Sequence, residues 1–132
     1  MSGKGLVEKL GVKPGMTLAV DGVPASLASL LESTGSLDSA DTLLLFVADR
    51  AAAPAAIARG VAAFAPGKRL WFGYPKKSGA HASDISRDAG WERLAEADFL
   101  AVTQIALDAD WSALRFRPRA EIVRLTRASG RG

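Results

Sequence analysis

Arg69-Leu70-Trp71-Phe72-Gly73-Tyr74-Pro75-Lys76-Lys77-Ser78-Gly79-Ala80-His81-Ala82-Ser83-Asp84 reads as an apolar strand that empties into a basic, glycine-containing loop and then into a helix. In open α/β sheets, ligands are held in the crevice at the carboxyl ends of the strands, where loops and free backbone N–H groups converge. The stretch therefore points to a fold class and to a working edge at once. Just upstream, Pro66-Gly67 turns an alanine-rich helix, about Pro54 to Phe64, into this strand, with Ile57, Val61 and Phe64 on the buried stripe. Further upstream, Thr42-Leu43-Leu44-Leu45-Phe46-Val47 is a continuous apolar run of strand length, as a central parallel strand covered on both faces requires.

The remaining elements fall into place around these. Leu6 to Leu10 reads as a short helix stopped by Gly11, and Pro14-Gly15 turns the chain into a strand from Met16 to Val20. Pro24 suits a first helical position, and Leu27, Leu30 and Leu31 give that helix an apolar stripe ending near Gly35. Downstream, a helix beginning near Ser83 carries Gly90, Trp91 and Leu94 on one stripe, with Arg87 one turn nearer the loop. Phe99 to Leu107 and Trp111 to Phe116 are strands joined by Asp108-Ala109-Asp110, a link short enough to force an antiparallel hairpin. The order β-α-β-α-β-α-β-β predicts a three-layer, Rossmann-like α/β domain over residues 1–118. Its sheet is mainly parallel, of about five strands, ends in the hairpin, and is followed by a basic tail over 119–132.

Composition narrows the function classes. The 132 residues are 48% hydrophobic and 23% charged, which is a globular balance large enough for one core. There is no cysteine, so disulfides, thiolate metal sites and thiol nucleophiles are all excluded; one histidine makes a zinc centre improbable. The longest apolar run, Leu43 to Ala48, is too short to cross a bilayer, and the opening residues have no apolar leader, so a cytoplasmic protein without membrane contact is expected. The net charge of +3 is uneven: residues 115–132 carry six arginines against Glu121, and the rest of the chain is slightly acidic. Such an end attracts nucleic acid or an acidic partner, or is simply a solvated tail.

At the working edge, Lys76, Lys77 and Ser78 precede the expected helix start, a combination that favours a phosphate or carboxylate. The spacing is not that of a Walker A loop, and two solvated lysines are the plain alternative. Ser78, His81 and Asp84 lie close in sequence, but three residues of one loop seldom converge as nucleophile, base and orienter; His81 is read as a loop histidine or a ligand contact. Arg87 either binds an anion beside Lys76 or pairs with Asp84, Asp88 or Asp110, the ion pair being favoured. Tyr74 ends the strand, and on the last strand alternation puts Trp111, Ala113 and Arg115 on one face and Ser112, Leu114 and Phe116 on the other. The candidate ligand-binding set is thus Tyr74, Lys76, Lys77, Ser78, His81, Asp84, Arg87, Trp111 and Arg115.

Three blocks carry a family likeness: Leu10-Gly11-Val12-Lys13-Pro14-Gly15-Met16-Thr17-Leu18, the turn Ala65-Pro66-Gly67-Lys68-Arg69-Leu70-Trp71, and the closing hairpin. Together they resemble class I S-adenosylmethionine-dependent methyltransferases, in which a Lys-Pro-Gly turn opens the first strand and a terminal hairpin closes the sheet. Tyr74-Pro75-Lys76-Lys77-Ser78, Asp84-Ile85-Ser86-Arg87-Asp88 and Trp111-Ser112-Ala113-Leu114-Arg115-Phe116 look more closely like a bacterial family of short uncharacterised proteins. That likeness implies a reduced methyltransferase-type fold and brings no activity with it. The glycine-rich cofactor turn is replaced by Asp21-Gly22-Val23-Pro24-Ala25-Ser26, and there is no room for the strands that would carry an acidic ribose ligand. The functional expectation is a module that binds an anionic small molecule at residues 74–88, with no cofactor assigned. The alternatives are an interaction or nucleic-acid-binding module using the basic tail and the first-strand edge, which invites a homodimer, and a divergent S-adenosylmethionine-dependent transferase.

Overall fold

The structure is a computed structural model and describes residues 6–77, 83–86 and 89–122. Helix α1 (Leu6–Lys9) leads to β1 (Leu18–Asp21), β2 (Thr42–Phe46), α2 (Ala53–Ala63), β3 (Arg69–Pro75), α3 (Glu92–Glu96), β4 (Phe99–Ala106) and β5 (Trp111–Pro118). The five strands form one sheet in the order β1-β2-β3-β5-β4. β1, β2 and β3 are parallel neighbours, β5 runs against both β3 and β4, and β4 therefore points the same way as the first three. The domain is Rossmann-like α/β, with one reversed strand supplied by the hairpin. No helix among the described residues is long and apolar enough to cross a membrane.

Alternation decides which side chains meet on each face. Leu43, Leu45, Leu70, Phe72, Tyr74, Leu114 and Phe116 bury one face against Ala53, Ala56 and Ile57 of α2 and Leu94 of α3. Leu44, Phe46, Trp71, Trp111 and Ala113 bury the other against Leu10, Leu27 and Leu31. Gly60 of α2 lets the helix lie close to the sheet, since a Cβ there would come 2.9 Å from the Phe72 ring. β2 is buried at every position, as the apolar run Thr42 to Val47 predicts.

One expected helix is absent and another is shortened. Between β1 and β2 the chain makes only a 3₁₀ turn, Ala25–Leu27, although Leu27 and Leu31 are buried as the spacing predicts; Leu30 is 58% exposed. The reason lies in Ser33 and Thr34, whose hydroxyls bond the β1 backbone: Val20 N donates to Ser33 Oγ (2.8 Å) and Leu18 N to Thr34 Oγ1 (2.9 Å). Thr34 N and Gly35 N in turn donate to the Leu18 carbonyl. The outer edge of β1, expected to carry unpaired groups, is instead bonded from within the chain at Leu18 and Val20.

The helix expected from Ser83 starts late and keeps only the stretch around the buried Leu94. Residues 83–86 and 89–91 are loop, Gly90 has a φ of +109° that no helix contains, and α3 starts only at Glu92. Ser83 and Asp84 spend their side chains on the neighbouring loop instead of on a helix of their own.

Candidate functional site

Because β1, β2 and β3 are parallel and in register from Leu18↔Thr42 to Phe46↔Gly73, their carboxyl ends share one rim. The hairpin turn joins it, since Pro75 pairs with Trp111 and Lys76 N donates to the Asp110 carbonyl at 2.8 Å. The loops after β2 and β3 are latched together: Ser83 Oγ donates to the Ala48 carbonyl (2.7 Å), and Arg50 N to Asp84 Oδ1 (2.9 Å). The loop after β1 reaches the hairpin through Ser26 Oγ, 3.2 Å from Asp108 Oδ2.

The rim carries several carboxylates, and most already have structural work. Asp108 Oδ1 accepts from the N–H groups of Asp110 and Trp111 (both 2.8 Å), holding the turn; Asp49 Oδ1 accepts from Ala52 N (2.9 Å), satisfying one of the free donors before α2. Asp21 is paired with Arg59 at 2.6 Å, and Asp84 is taken by Arg50 N. Arg50 reaches Glu92 at 3.5 Å. The Glu92 carboxyl is held below its ordinary range, chiefly by its own backbone N–H, with Arg50 and the Gly90 N–H adding to the effect. Neither the Lys76 nor the Lys77 ammonium has a hydrogen-bond or ion-pair partner among the described residues.

The sequence-predicted residues divide into four groups. Tyr74, Lys76 and Trp111 come together along the β3–β5 pair, but Tyr74 and Trp111 face opposite sides of the sheet. The Tyr74 hydroxyl accepts from Gln104 Nε2 at 2.7 Å and its ring lies edge-on to Trp91, while Trp111 meets the Phe46 ring edge-on with centroids 5.6 Å apart. Lys77 is exposed beside Lys76, and Asp84 sits over the end of β2. Arg115 is set apart, pairing with Trp71 four residues along β5 from Trp111, about 13 Å away. Ser78, His81 and Arg87 lie outside the described residues.

The late start of α3 changes the electrostatics expected here. No helix terminus is aimed at Lys76 from Ser83, so the positive character of the rim rests on side chains. Residue patterns did not single out Arg50, Asp49 or Asp108 as rim components; Asp-x-Asp before a strand was a usable turn signal for Asp108.

No protein-family model matches the chain, and no curated protein matches it. Among solved structures, LepI in complex with SAM superposes with a TM-score of 0.49 at 14% identity, over 86% of this chain and 39% of the LepI chain. The chain thus spans about two fifths of that neighbour's length.

Proposed function

We propose that the protein is a binding module for a small anionic molecule at the rim formed by the loops after β1, β2 and β3 and by the hairpin turn. The observation that supports it is the imbalance of commitments. Asp21, Asp49, Asp84 and Asp108 are used in turns, caps and an ion pair, whereas Lys76 and Lys77 have no described partner. Two amines on a rim braced by Asp84–Arg50 and Lys76–Asp110 offer charge at little reorganisation cost.

The test is a thermal-shift screen of nucleotides, phosphorylated metabolites and S-adenosyl compounds, because a ligand bound only by the folded state raises Tm by mass action. A hit whose affinity falls at least about tenfold in the double variant Lys76→Glu/Lys77→Glu supports the reading. Unaltered affinity in that variant removes it. A divergent SAM-dependent transferase is the second reading, favoured by the single reversed strand and closing hairpin of the sheet; a shift with S-adenosyl compounds and none with simple phosphates selects it.

A further inference from the structure

At the opposite end of the sheet, odd-numbered positions of β3 and β5 share the face that carries Trp71. Continuing the register one step past Leu70↔Phe116 sets Arg69 across from Arg117, and Arg115 lies across from Trp71. Three guanidinium groups thus gather on two adjacent strands. With Pro66, Gly67, Lys68 and Glu121 they line a cleft of about 340 Å³. Like charges across a strand pair normally cost stability, and here four cations face one carboxylate.

The members differ in how they are satisfied. Lys68 Nζ donates to the carbonyls of Asp38 (2.7 Å), Ala63 (3.1 Å) and Leu37 (3.3 Å), which fixes it as a strut. Arg117 Nε donates to Glu121 Oε1 at 3.2 Å, and the two side chains are only 26% and 28% exposed. Among the described residues Arg69 has only the Met16 sulfur at 3.9 Å, and it lies against Gly11, where a Cβ would come 2.8 Å from Nε. Arg115 is the least satisfied: its Nε is sealed from solvent with no hydrogen-bond partner among the described residues. Its guanidinium is pulled below the usual arginine range, first by burial and then by the charges of Arg117 and Arg69, with Glu121 opposing. Arg115 is part-buried, so its Nε is withheld from water while the rest of the guanidinium can still meet a ligand; a half-satisfied fork of this kind in a cleft marks a place where a ligand supplies what the fold withholds.

We infer that this cleft is a second site, one that binds the phosphoryl or pyrophosphoryl group of a small molecule through Arg69, Arg115 and Arg117. Planar guanidinium forks match phosphate oxygens bidentately, and three of them call for more negative charge than one carboxylate brings. A cleft of this volume, with its guanidinium groups gathered at one spot on two strands, suits a small molecule better than an extended nucleic-acid backbone.

Calorimetric titration of the full chain with pyrophosphate at low ionic strength tests this. Saturable binding is expected, about tenfold or more weaker in Arg115→Met and in Arg69→Met, and intermediate in Arg115→Lys. Ligand-free Arg115→Met is expected to melt no lower than the parent, because it removes an unpartnered buried Nε and a like charge beside Arg69 and Arg117. Adding Arg115→Met to the double variant Lys76→Glu/Lys77→Glu is expected to weaken the remaining pyrophosphate binding by about a further tenfold, which separates this site from the carboxyl-end rim. No saturable binding at millimolar pyrophosphate overturns the inference. So does undiminished binding in both arginine variants, or binding of a single-stranded oligonucleotide that pyrophosphate does not displace.

Discussion

Gly73 shows how one absent methyl group organises the rim. In the middle of β3 it faces Phe46 across the β2–β3 pair, and a Cβ there would fall 2.6 Å from that ring. The ring lies over the glycine and meets Trp111 on the far side. Gly73→Ala is expected to cost about 1–3 kcal/mol by overpacking, read as a lower midpoint in urea with unchanged slope. The same substitution should weaken any rim ligand, because Phe46 and Trp111 shift with it. At this scale the sequence was partly legible. Alternation placed Trp111 and Ala113 on one face of β5 and Leu114 and Phe116 on the other, as found. It did not reveal that Arg115 and Arg117 stand beside Arg69, because that depends on β5 pairing with β3, a neighbour from more than forty residues upstream.

Among the elements, the strands were readable and the helices only where packing rewards them. A run such as Thr42 to Val47 declares itself by composition, and α2 by the spacing of its buried residues. The segments after Pro24 and after Ser83 have helical spacing too, but their serine, threonine and aspartate side chains find backbone partners on β1 and on the adjoining loop, a tertiary contact that local spacing does not carry. The strap Ser33–Gly35 against β1 has a measurable weight. Ser33→Ala with Thr34→Val leaves the N–H groups of Val20 and Leu18 unpaired at the sheet edge, and a loss of about 1–3 kcal/mol is expected in equilibrium unfolding. Faster amide exchange at Val20 and Leu18 is the local signature. Parent-like exchange at both would mean that the hydroxyls contribute nothing.

Across the whole molecule, the two faces of the sheet are covered by different means: α2 and α3 on one side, and the short α1 with the chain around Leu10, Leu27 and Leu31 on the other. The second cover is tied to the sheet by a buried hydrogen bond, Trp71 Nε1 donating to the Leu10 carbonyl at 3.1 Å. Trp71→Phe keeps most of the apolar surface but orphans that carbonyl. A loss of about 1–3 kcal/mol is expected, with faster proteolytic cutting near residues 6–12 than in Gly73→Ala. The sheet also has a built-in direction of growth. With its β1 side plugged by the chain's own 33–35 segment, another strand can be added there only after that connection is rerouted. A longer protein built on this plan would have to make room for another strand on the β1 side by insertion between β1 and β2.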